Sequence, residues 1–139
     1  MHASQFFLAG FINAFFGIEN IVLQSGYLLQ AAKLGKARAQ YWVGSIYLNG
    51  WGVASNSEEA FKWLLQAAQQ SDVDACYQVG LLYGSGNGVK KDSVQSYAWI
   101  YLAATAGNDN AQEEERRLAK TLTEDELKKG QQSSRNLIK

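Results

Sequence analysis

The stretch AQYWVGSIYLNGWGVASNSEEAFKWLLQAAQQS, residues 39–71, is answered 36 positions later by ACYQVGLLYGSGNGVKKDSVQSYAWIYLAATAG, residues 75–107. Ala39 returns as Ala75, Gly44 as Gly80, Tyr47 as Tyr83, Gly50 as Gly86, and Gly52-Val53 as Gly88-Val89, with no insertion or deletion. The echo extends outward: Trp63 lies midway between Tyr27 and Trp99, Ala67-Ala68 between Ala31-Ala32 and Ala103-Ala104, and Ser71 between Gly35 and Gly107. A fixed period of about 20–50 residues marks a stacked array, in which each unit buries its apolar face against its neighbours. Such arrays present extended surfaces, and binding is their default use.

Each unit divides into two helices. Ala39, Val43, Ile46 and Tyr47 recur at helical spacing until Asn49-Gly50-Trp51-Gly52 stops the run and turns the chain. Asn56 then offers a side-chain oxygen to the free N–H groups of a second helix. Glu59, three residues on, is placed to return a bond to the cap, and Asp92 and Gln95 repeat the pair. The second helix is expected to bury Ala60, Trp63, Leu64 and Ala67, and the Ala67-Ala68 pair lets a neighbouring helix come close.

These residues resemble the Sel-1-like repeat, a bacterial and eukaryotic relative of the tetratricopeptide repeat. Its pattern, A-x3-LG-x2-Y-x2-G-x-GV-x2-D-x2-KA-x2-W-x2-KAA-x2-G, is met by Ala39, Val43-Gly44, Tyr47, Gly50, Gly52-Val53, Asn56, Ala60, Trp63 and Ala67-Ala68. The next unit supplies Ala75, Val79-Gly80, Tyr83, Gly86, Gly88-Val89, Asp92, Trp99, Ala103-Ala104 and Gly107. Val43 and Val79 replace the leucine, Ser96 an alanine, and Glu59 and Gln95 the lysine. The resemblance implies an all-α fold, an α/α superhelix of antiparallel helix pairs with a C-terminal capping helix, forming one domain over residues 1–139. Residues 5–35 form a degenerate unit, 36–71 and 72–107 complete ones, and 108–139 polar capping helices. In the degenerate unit Tyr27, Ala31-Ala32 and Gly35 fit, while the glycine turn has decayed to Phe16-Gly17-Ile18.

The two ends differ in polarity. Residues 1–32 carry one formal charge, Glu19, whereas 109–139 carry seven acids and seven bases. Phe6 to Ile18 lacks the preceding basic residues and the cleavage site of a signal peptide, and Glu19-Asn20 interrupts the uncharged run that a membrane span needs. The expected state is a buried or partner-covered helix, with a remnant targeting or membrane segment as the alternative. Phe7, Phe11 and Phe15 are a candidate assembly edge for a homodimer, equally open to burial within one chain. At the other end Glu113 to Arg117 read as the solvated face of a cap, with Leu118 and Leu122 as its apolar contacts. Thr123 with Glu126 forms a capping box for a last helix containing Leu127 and ending near Leu137-Ile138.

Composition removes several function classes. Thirteen basic residues balance thirteen acidic ones, so there is no electrostatic footprint for nucleic acid or an anionic membrane. The one histidine, His2, sits at the terminus, so no histidine-based catalytic or metal constellation can be assembled, and no cofactor is implied. Cys76 reads as an inert buried thiol, and Glu58, Glu59, Asp72 and Asp74 as helix-start residues. Gly86-Asn87-Gly88-Val89-Lys90-Lys91 lacks the Walker pattern and reads as a tight turn rather than a phosphate cradle.

Contacts with a partner must come from positions that vary between units. Trp42, Ser45 and Asn49 share one face of the first helix, and Gln78, Leu81 and Ser85 repeat that stripe; by resemblance, first helices line the concave surface. Trp51, inside a glycine turn, is a further candidate, since tryptophan is enriched at interface hot spots and in cores alike. The expected function is a non-catalytic scaffold or adaptor that binds a partner protein or peptide on its concave face. The alternative is a membrane-tethered or secreted adaptor, or a regulatory subunit, anchored by the apolar N-terminal helix. The cytoplasm is the expected compartment, with periplasmic or secreted placement left open.

Overall fold

Glycine turns and side-chain caps cut the chain into helices at a fixed interval. The computed structural model describes residues 18–138, which hold seven helices and no strand. They are α1 (Ile18–Lys33), α2 (Ala37–Asn49), α3 (Ser57–Gln69), α4 (Val73–Ser85), α5 (Ser93–Thr105), α6 (Asp109–Ala119) and α7 (Glu124–Ser134). Helices α2 to α5 are each 13 residues long, and α4 and α5 begin 36 residues after α2 and α3, so the sequence period is a structural period. From α1 to α6 each helix packs on the next in the chain, the nearest-neighbour pattern of a solenoid, whereas α7 folds back onto α5. Ile18, expected in a decayed turn, is helical and belongs to α1.

The boundaries follow from backbone chemistry. Gly50 and Gly86 end α2 and α4 in the left-handed conformation (φ 70° and 72°), donating their N–H groups to the carbonyls of Ile46 and Leu82 at 2.8 Å. Asn56 and Asp92 then cap α3 and α5, each accepting from the backbone N–H three residues on at 3.0 Å. The expected return bonds from Glu59 and Gln95 do not form. The cap N–H groups are already used: Asn56 donates to the Tyr47 carbonyl at 2.9 Å and Asp92 to that of Tyr83 at 3.0 Å. This ties each second helix to the end of the first. The full capping box appears at α7, where Thr123 and Glu126 exchange bonds of 2.9 and 3.1 Å. Helix α7 stops at Ser134, so Leu137 and Ile138 lie beyond it and pack against the core from the tail.

Within a unit the two helices touch through a glycine. A Cβ on Gly44 would stand 2.6 Å from Leu64 Cγ, and one on Gly80 2.7 Å from Ile100 Cδ1, so only hydrogen fits at this register. The core holds Leu64, Val79, Trp99 and Ile100, all at most 2% exposed, with small alanines between them. The tryptophan register is graded: Trp99 is buried, Trp63 half-buried and Tyr27 exposed. At the C-terminal end Tyr97 takes over as organiser. Its hydroxyl donates to Glu115 Oε2 at 2.8 Å and accepts from Gln131 Nε2 at 3.3 Å, while its ring fills the space a Cβ on Gly130 would need. Burial, together with the nearby Glu115 charge and against the Gln131 bond, raises the Tyr97 pKa above the ordinary phenol value.

Candidate functional site

The repeat register generates a ladder between successive first helices. Arg38, on α2, directs Nη1 to Asp72 Oδ1 and Oδ2 at 3.0 and 2.9 Å and to Asp74 Oδ2 at 3.1 Å. Asn108 continues the ladder with a 3.4 Å contact from Nδ2 to Asp74 Oδ1. Asp72 is also the cap of α4, accepting from the Ala75 N–H at 3.0 Å, so one carboxylate ends a helix and joins two units. Burial works to lower the Arg38 pKa, but the bonds and charges of Asp72 and Asp74 outweigh it and raise the value. Arg38 is more than half exposed, so the bridge contributes at most about 1 kcal/mol and is salt-sensitive.

On this frame Trp42 stands out from α2 with 44% of its surface exposed. Its ring meets Tyr41 edge-on, with centroids 5.1 Å apart, and the Arg38 guanidinium lies 4.6 Å from the Tyr41 centroid and 5.8 Å from that of Trp42. The exposed indole is therefore braced rather than free to sweep. Asn49 and Ser85 are exposed, and Gln78 and Leu81 half-buried. Asn49 spends one donor on the Ser45 carbonyl at 2.9 Å. Ser45, placed on the stripe by spacing, is only 7% exposed, because spacing gives the direction of a side chain and not the depth of its neighbours. Trp51, in the first glycine turn, is 42% exposed. Phe7, Phe11 and Phe15 lie outside the described residues.

A third row of the stripe was hidden in the charged run 113–117. Glu114 and Arg117 occupy on α6 the register of Gln78 and Leu81 on α4, and they pair with each other, Nε to Oε1 at 3.2 Å. Between α4, the start of α5 and α6 lies an open groove of about 480 Å³. Leu81, Gly84 and Leu118 form its apolar part, and Ser85, Lys91, Glu114 and Arg117 its polar rim. Two of the sequence candidates, Leu81 and Ser85, thus line one concavity; Trp42, Asn49 and Trp51 lie outside it. The 36-residue offset alone would have found Glu114 and Arg117.

Another hollow, about 470 Å³, lies where the turn Gly86–Lys90 covers the start of α3. Gly88 has φ 80°, and a Cβ there would collide with the Ser57 carbonyl, so the glycines seat one unit's turn on the previous unit's helix. Glu58 and Lys90 both line this hollow, so their charges offset one another. Cys76 is 2% exposed, and burial, followed by the Asp72 charge, pushes its thiol up to about 12. Among the described residues no group of three metal-ligating side chains occurs, and no helix is long and apolar enough to cross a membrane.

Comparison with known proteins agrees with this geometry. The Sel1 repeat profile matches residues 37–72 and 73–108. A protective antigen of uropathogenic Escherichia coli strains, displaying an SLR fold, superposes with a TM-score of 0.77 at 31% identity, over 81% of this chain and 24% of that one. The chain therefore spans about a quarter of that antigen's length. A Sel1 repeat protein from Oxalobacter formigenes gives 0.64 at 35% identity, over 66% of this chain and 68% of that one. Cysteine rich protein B of Helicobacter pylori gives 0.61 at 25% identity, covering 72% and 81%. No curated protein matches.

Proposed function

Because the chain belongs to the Sel1 repeat family, whose members are in general helical scaffolds for protein interaction, we propose that it is a non-catalytic adaptor. Its partner is a protein or peptide, and its binding face is that of the first helices α2, α4 and α6. The observation that carries this reading is the groove between α4 and α6, where Leu81, Ser85, Glu114 and Arg117, all on one register stripe, surround a single concavity. The mix of an apolar floor with a few oriented polar groups suits peptide recognition. Trp42 adds a braced, exposed aromatic further along the array, the residue type most often found at hot spots.

The reading is tested by purifying the tagged chain from its own cells and comparing co-purified proteins for wild type, Trp42→Ser/Gln78→Ala and Lys62→Ala. A partner retained by wild type and by the variant of exposed Lys62 on α3, and lost by the first-helix variant, is the expected result. Equal retention by all three forms counts against this face.

A further inference from the structure

We propose that the groove at Leu81, Gly84 and Leu118 is a socket for one aliphatic side chain of a partner peptide, with an acidic neighbour of that side chain set on Lys91. This rests on the first-helix face being the binding face and adds what it recognises. The argument comes from a comparison of the chain with itself. Gly84 occupies the register of Leu48, and Ser96 that of Ala60. In the earlier unit Leu48 is packed against the core, so an aliphatic side chain of the protein's own fills that position. In the later unit that side chain is missing, and Gly84 lines an open groove.

The missing group defines the guest. The opening has lost a leucine, and its apolar walls, Leu81 and Leu118, remain. Ser96 does not make the floor polar, because its hydroxyl is spent on the Gly80 carbonyl at 2.7 Å. The rim sets the charge. Glu114 is taken by Arg117, whereas Lys91, at the register of uncharged Ser55, makes no ion pair among the described residues. The uncompensated charge at the socket is therefore positive, and a carboxylate beside the anchoring residue complements it.

The experiment selects a displayed library of short random peptides on the immobilised full chain and measures the enriched peptides against variants. The filling variant is Gly84→Leu/Ser96→Ala, which grafts the pair found at Leu48 and Ala60. The serine must change too, because a Cβ at Gly84 stands 2.9 Å from Ser96 Oγ. Circular dichroism and Tm at or above wild type establish that it folds. The expected result is a selected motif of Leu, Ile or Met with Asp or Glu close by, about tenfold weaker binding to the filled socket, and a switch to Lys or Arg on Lys91→Glu. Peptides without an aliphatic anchor, or equal binding to a folded filled variant, overturn the socket. If those peptides instead weaken on Trp42→Ser/Gln78→Ala, the first-helix face still binds and the socket alone falls. If neither variant weakens them, both readings fall.

Discussion

Cys76 directs its thiol at the carbonyl oxygen of Ala68, with Sγ 3.5 Å from the oxygen. One repeat to either side the same bond is made by an amide: Gln40 Nε2 donates to Ala32 at 3.1 Å, and Gln112 Nε2 to Ala104 at 3.2 Å. The fourth residue of each first helix thus fastens onto the alanine pair of the preceding second helix. Cys76 is the weakest member of this series, since a thiol is a poor donor. At 2% exposure it fills space between the two helices and holds their register.

A thiol in this position should resist modification. Native protein at pH 8 should not react with Ellman's reagent, and one thiol should appear on denaturation. The unfolded group ionises near 9.0 while the folded one holds its proton to about 12. Its contribution to stability is therefore complete below pH 9 and is lost as pH rises from 9 toward 12. Denaturation midpoints across that range should fall more steeply for wild type than for Cys76→Ala.

Gly80→Ala should destabilise by about 1–3 kcal/mol, because the new methyl meets Ile100 at 2.7 Å and the Ser96 carbonyl at 3.1 Å. The new methyl meets both Cδ1 and Cγ1 of Ile100 at 2.7 Å, and valine removes only the former, so in urea denaturation Gly80→Ala/Ile100→Val should remain destabilised relative to wild type. A Gly80→Ala variant as stable as wild type would remove the close-approach account of the glycine register.

Two sites depart from the best residue for their backbone, and both can be improved. Ser71 adopts φ 73° where Gly35 and Gly107 hold the corresponding positions, and Ser71→Gly should stabilise by about 0.5–1 kcal/mol. Lys36 precedes α2 with the same extended backbone as Asp72 and Asn108 but gives no side-chain cap, so Lys36→Asp should add about 0.5–1 kcal/mol. Thermal melts of the single variants check both; the two sites flank the Arg38–Asp72 bridge, so the double variant should depart from simple additivity.

What the sequence makes legible depends on whether a residue is constrained locally. Gly50, Gly86, Asn56, Asp92 and Thr123 act through backbone conformation and hydrogen bonding within a few residues, so helix ends are readable, and the period orders the array. The fold-back of α7 is not readable, because it rests on Gly130 meeting Tyr97, a pairing across 33 residues that no repeat predicts. The bond from Glu59 to Asn56 fails for a similar reason: Tyr47, nine residues before the cap, already holds the donor. On the candidate face, Trp42 and Leu81 follow from spacing. The groove does not, since it depends on what Gly84 lacks relative to Leu48. Charge also masks the stripe's last row, where Glu114 and Arg117 read as ordinary cap surface until α6 is set beside α4.

The most direct test of the adaptor account is site-specific photo-cross-linking in the cells that make the protein, with a photoreactive residue at Ser85 in the groove or at Lys62 on α3. The account predicts a discrete higher-mass adduct from Ser85 and none from Lys62. Adducts from Lys62 with none from Ser85 would contradict it and move recognition to the second helices.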